Sequence, residues 1–98
     1  MPKTYWITTY NAVKNPDALA AYAKLAGPAI TAGGGRMLVR GMPAKTYEEG
    51  QNTRTVVIEF ESLDKAIACH DSAGYQEALR ALGTGNVERD MRFVEGLE

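Results

Sequence analysis

From Lys3 to Tyr10 the side chains alternate, with Tyr5, Ile7 and Thr9 on one face and Trp6, Thr8 and Tyr10 on the other. A period of two carried by aromatic and β-branched residues predicts a strand on a half-buried, pleated surface. The pattern changes at Asn15-Pro16-Asp17, which supplies a side-chain acceptor for an N-cap, a ring with φ already set for the first helical position, and an acid in the first turn. Beyond it Leu19, Tyr22, Ala23, Ala26 and Ile30 recur at spacings of three and four, the apolar stripe of an amphipathic helix. Pro28 cannot donate to the carbonyl of Lys24, so the helix is expected to bend or divide at Gly27-Pro28. Gly33-Gly34-Gly35 ends it.

A second strand is predicted over Arg36 to Arg40, with Met37 and Val39 on one face and Arg36, Leu38 and Arg40 on the other. After the break at Gly41 to Pro43, Ala44 to Glu48 reads as a short edge segment. The run from Arg54 to Phe60 is the strongest strand, and its near-continuous apolar centre implies burial on both faces. Ser62 caps a second helix through Leu63, Ala66, Ile67 and His70, and Ser72 caps a further piece through Tyr75, Ala78, Leu79 and Leu82. Gly83 and Gly85 stop that run. Asp90 to Glu95 is a fourth strand, alternating Met91 and Phe93 with Arg92 and Val94.

The order β-α-β-β-α-β predicts an α+β, ferredoxin-like domain: a four-stranded antiparallel sheet with its helices on one face. The other face is left without cover. Alternation does not decide whether that face carries Trp6, Thr8 and Tyr10 or the opposite set, but either choice leaves apolar surface wet. Pairing of two sheets into a homodimer would cover it.

At 98 residues the chain is expected to be one domain, and so short a chain gains from burial between subunits. Its 45% hydrophobic and 23% charged content is that of a folded protein. A net charge of −1 with scattered Lys and Arg argues against nucleic acid as a partner. No segment has the roughly 20 apolar residues needed to cross a bilayer, and the start has no signal-peptide core, so neither membrane nor export is expected. Cys69 is the single cysteine, which rules out an intramolecular disulfide and makes the cytoplasm the expected compartment.

The segments Tyr5-Trp6-Ile7, Leu25-Ala26-Gly27-Pro28-Ala29, Gly34-Gly35-Arg36, Val57-Ile58-Glu59-Phe60, Asp71-Ser72-Ala73-Gly74-Tyr75-Gln76 and Phe93-Val94-Glu95-Gly96, in this order and spacing, resemble the family called Domain of Unknown Function 1330. That family is similar to the dimeric α/β-barrel group. The resemblance implies a ferredoxin-like subunit whose sheet pairs with a second sheet, within a group that includes cofactor-independent monooxygenases, muconolactone isomerase-like proteins and haem-binding relatives. The chain departs from the family pattern at Ala73-Gly74, where members usually carry Pro-Glu, and at His70, where they usually carry an aromatic residue.

His70 is the side chain whose ordinary pKa lies near neutrality and is the candidate general acid or base, although its place on an apolar stripe equally suits packing. Arg36, where the glycine run meets the second strand, is the candidate anion holder, with Arg54 and Arg40 behind it. Tyr75 is the candidate hydroxyl donor, or a buried ring with one hydrogen bond. Tyr5, Trp6 and Tyr22, with Arg54, are candidate ligand-binding residues, and the aromatic ones could equally fill the core. Cys69 reads as structural. One histidine and one cysteine fall short of a zinc site, so neither metal nor other cofactor is expected. The glycine run leads from helix into strand, the reverse of a phosphate loop, and no nucleophile elbow is present. The expected function is therefore binding of a small aromatic or enolisable metabolite, with cofactor-independent isomerisation or oxygenation. The alternative is a non-catalytic ligand-binding or stress-associated module using the same pocket.

Overall fold

The computed structural model describes residues 2–97. The chain forms β1 (Thr4–Val13), α1 (Pro16–Ala32), β2 (Arg36–Gly41), β3 (Thr55–Phe60), α2 (Leu63–His70), α3 (Ala73–Leu82) and β4 (Val87–Glu95). This is the predicted ferredoxin-like order, with the second helical arm in two pieces. The strands make one antiparallel sheet in the order β2-β3-β1-β4. All three helices lie on one of its faces, because both crossovers have the same hand.

The predicted caps hold. Asn15 Oδ1 accepts from Ala18 N at 3.1 Å, Ser62 Oγ from Lys65 N at 3.3 Å, and Ser72 Oγ from Tyr75 N at 3.3 Å. At the end of α1, Gly34 takes a φ of +91°, and a Cβ on Gly35 would lie 2.6 Å from Ile30 Cγ2 and 2.8 Å from the Phe60 ring. The glycine run thus turns the chain under the helix tightly enough for β2 to start beside β3.

Helix α1 does not divide at Gly27-Pro28 but runs through both residues. Lys24 and Pro28 are exposed, so the interrupted rung lies on the solvent side of the helix, where water can satisfy the freed carbonyl. Ala44 to Glu48 forms no strand; the connection there turns through a bond from Gly50 N to Tyr47 O at 2.9 Å. β1 continues beyond Tyr10 across an irregularity at Asn11, and β4 begins at Val87 rather than Asp90.

The face beneath the helices carries Thr4, Trp6, Thr8 and Tyr10 from β1, all buried, with Val56, Ile58 and Phe60 from β3. Trp6, 1% exposed, is the hub: its ring lies 5.0 Å from Tyr75 in an edge-on contact, 5.0 Å from Phe93 and 6.1 Å from Phe60. On the opposite face Tyr5, Ile7 and Thr9 stay half-buried in the single chain, as do Thr55, Val57 and Glu59. β3 is therefore fully buried on one face only, against the expectation of burial on both.

The register of β2 corrects a second expectation. Arg36 pairs with Glu59 and Met37 with Ile58, but Val39 pairs with Val57 and Arg40 with Val56. A bulge at Leu38 inserts one residue, which reverses the alternation beyond it. Arg36 and Arg40, expected on one face, lie on opposite faces, and so do Met37 and Val39.

Candidate functional site

Between α1 and the β1-β3-β2 part of the sheet lies a cleft of about 60 Å³. Its inner walls are buried and apolar, from Trp6, Ala26, Ile30 and Ile58. Its mouth, bounded by Leu19, Ala23 and Met37, is partly or fully exposed. Three arginines line this space, Arg40 from β2, Arg54 at the entry to β3 and Arg89 from β4. Among the described residues none of the three pairs with a carboxylate.

Tyrosines hold two of these cations, Arg89 and Arg54, in place of acids. Arg89 donates from Nη1 to Tyr10 Oη at 3.0 Å, and its guanidinium lies 4.9 Å from the centre of the Tyr22 ring and 5.6 Å from that of Tyr10. Arg54 lies 5.8 Å from the Tyr10 ring centre. Such contacts over ring faces favour a cation that is partly desolvated. Arg54 Nε is buried with no hydrogen-bond partner among the described residues, a donor left for an acceptor that the chain does not supply. Behind Arg89, the Tyr22 and Tyr75 hydroxyls share a buried bond of 2.7 Å.

The titration behaviour follows from burial. Burial, reinforced by the Tyr22 oxygen and opposed by Arg89, pushes the Tyr75 hydroxyl far above the ordinary phenol range. Burial likewise raises Tyr10, again against Arg89. Burial acts to lower Arg89, but the oxygens of Tyr22, Tyr75 and Tyr10 outweigh it and hold the charge on more firmly. The cleft is therefore a fixed cationic site with neutral hydroxyls, suited to receiving an anion. Among the described residues its lining includes neither carboxylate nor imidazole.

The structure does not gather His70, Arg36 and Tyr75 into one site. Arg36 lies on the outer face, 76% exposed in its side chain, with Nη1 4.0 Å from Glu59 Oε1. His70 and Tyr75 are neighbours, with ring centres 5.1 Å apart, but the Tyr75 hydroxyl is committed to Tyr22. The His70 ring lies against Trp6 and Phe93 and its Nδ1 is 2.9 Å from Asp71 Oδ1, outside the cleft. Of the ligand-binding candidates, Trp6, Tyr22 and Arg54 do line the cleft. Tyr5 lies on the outer face, where its hydroxyl is 3.3 Å from Glu59 Oε2. Cys69 is buried, with Sγ 3.8 Å from the Ala29 carbonyl, and burial pushes its thiol up.

Sequence reading passed over Arg89 and Tyr10 and ranked Arg40 low. Arg89 was legible in principle: it stands two residues before Met91 and four before Phe93, so one more pair of alternating positions on β4 places it on the inward face. Arg40 was not, because the bulge at Leu38 leaves no mark in the pattern.

Comparison with known proteins places this geometry in context. Solved structures that resemble the chain include a protein of unknown function from Rhodopseudomonas palustris, with a TM-score of 0.72 and 16% identity over 99% of this chain and 84% of that one. SnoaB of Streptomyces nogalater, described as a cofactor-independent oxygenase, gives a TM-score of 0.64 at 8% identity over 100% of this chain and 96% of its own. A protein from Thermobifida fusca, described as dimeric, ferredoxin-like and of unknown function, gives 0.62 at 19% over 96% and 91%. At these identities the likeness is one of fold. A search of curated proteins finds no match. The model of the domain of unknown function DUF1330 matches residues 3–97, and the chain belongs to that family.

Proposed function

We propose that the chain is a small-molecule-binding protein whose cleft takes an apolar molecule by its carboxylate or enolate oxygen, and that it works as a homodimer. The observation that supports this most directly is the set Arg40, Arg54 and Arg89 on a largely apolar cleft with no carboxylate among the described residues to neutralise them. A cleft of about 60 Å³ has room for a charged head group. The apolar body then lies along Leu19, Ala23 and Met37 at the mouth. Pairing through the outer face fits the half-buried Ile7 and Val57 there, and fits a fold shared with a protein described as dimeric.

A catalytic reading is favoured by the same cations. A guanidinium cluster lowers the pKa of an enolisable C–H bond by holding the enolate oxygen, and an enolate is the form from which cofactor-independent isomerisation or oxygenation starts. The proton leaves to water, since the described residues that line the cleft include no carboxylate or imidazole to take it. Deuterium exchange at the enolisable carbon of a bound keto acid, faster with protein than without, is the expected sign of catalysis. Binding without exchange assigns the chain to the non-catalytic class.

Binding is tested through Trp6, the one tryptophan, which lines the cleft. Titrated with benzoate and with its neutral isostere benzamide, the fluorescence is expected to report benzoate binding about tenfold tighter, the worth of one charge-assisted hydrogen bond. Arg40→Gln, at the exposed mouth, should weaken benzoate and leave benzamide unchanged. Equal affinity for the two ligands overturns the reading.

A further inference from the structure

A second hollow, of about 180 Å³, opens between α2 and β4 and shares no lining residue with the cleft. Ile67, Met91 and Phe93 make it apolar, and His70 and Asp71 are its polar members. The Asp71 carboxylate only accepts, so the Nδ1 atom 2.9 Å from it carries a proton; in the neutral form of the ring this tautomer leaves Nε2 as an acceptor. Among the described residues Nε2 has no partner. The ring cannot easily turn away, since Trp6, Tyr75 and Phe93 pack around it at centroid distances of 5.6, 5.1 and 6.2 Å. Its side chain is 33% exposed, and so within reach of a ligand.

We propose that this hollow is a second ligand site, for a small neutral aromatic alcohol of the phenol class, whose hydroxyl donates to His70 Nε2 while its ring packs against Met91 and Phe93. Size, polarity and charge each narrow the occupant. A hollow of about 180 Å³ has room for one substituted six-membered ring. A single oriented acceptor in apolar walls selects a ligand with one donor placed against it. The Asp71 carboxylate at the rim disfavours the anions that the cleft attracts. The two pockets would therefore sort ligands by charge, independently of whether the cleft binds as proposed.

The test follows the ring-nitrogen NMR resonances of His70, the one histidine, during titration with p-cresol and with its methyl ether, p-methylanisole. Saturable movement of Nε2 is expected with p-cresol, at an affinity about tenfold above that of the ether. Trp6 fluorescence then follows binding to the variants. His70→Phe, which keeps a ring in the packing, should bring p-cresol down to the affinity of the ether. Asp71→Ala, at an exposed position, should weaken p-cresol about threefold by releasing the tautomer, while benzoate at the cleft is unaffected. Equal binding of alcohol and ether, absence of a saturable His70 shift, or mutual displacement of p-cresol and benzoate would each overturn the second site.

Discussion

On the face of the sheet beneath the helices, Thr4, Trp6, Thr8 and Tyr10 are buried, whereas Tyr5, Ile7 and Thr9, one step along the same strand, stay half-exposed in the single chain. The inner face carries cations that, among the described residues, pair with no carboxylate. The outer face does the opposite with its charges: Glu59 is approached by Lys3 Nζ at 3.5 Å, Arg36 Nη1 at 4.0 Å and the Tyr5 hydroxyl at 3.3 Å, and Arg92 Nε lies 3.3 Å from Asp90. Charges that neutralise one another locally, set among Ile7, Val57 and Val94, suit a surface that meets another surface. Charges without local partners suit a surface that meets a ligand. Arginine therefore has two roles here that residue type alone does not separate.

The largest effect should come from the inner face. Trp6→Ala removes the ring on which Tyr75, Phe93 and Phe60 pack and should cost about 3–5 kcal/mol in denaturant unfolding; a loss below about 1 kcal/mol would mean that the inner face is not the core. Next, Val57→Glu on the outer face should convert a dimer to monomers by light scattering, with helical content kept. An unchanged mass would remove the proposed role of that face. Tyr75→Phe should cost about 1–2 kcal/mol, because it leaves the buried Tyr22 hydroxyl without its partner.

The same tyrosines give the inner face a pH dependence. Burial raises Tyr10 and Tyr75 above the phenol value of 10.0 in the folded chain, so the folded state keeps protons that the unfolded state releases. Their contribution to stability is thus complete below about pH 10 and falls as pH rises beyond it. Alkaline unfolding curves should show that decline, and Tyr75→Phe should make it shallower. Glu59→Gln should have the smallest effect, below about 1 kcal/mol, since its cationic partners are substantially exposed.

Much of this fold was legible because its signals are local. Asn15, Ser62 and Ser72 announce helix starts through a side chain that reaches an amide three residues on, and the glycines after Ala32 and Leu82 announce the ends. The site was legible only in part. Trp6, Tyr22 and Arg54 were picked out and do line the cleft, but the grouping of His70, Arg36 and Tyr75 was not realised, because it joined residues by chemical type across faces that alternation leaves unassigned.

The sequence by itself determined the order of elements, their caps and the family, since each depends on spacings of a few residues. Only the tertiary structure decided which side of β1 the helices cover, because both sets of alternating residues can be buried and the choice depends on how α1 and α3 pack. It also decided, through the bulge at Leu38, that Arg40 turns inward to join Arg54 and Arg89. A single inserted residue reverses every position beyond it, and its cost or benefit is set by the partner strand.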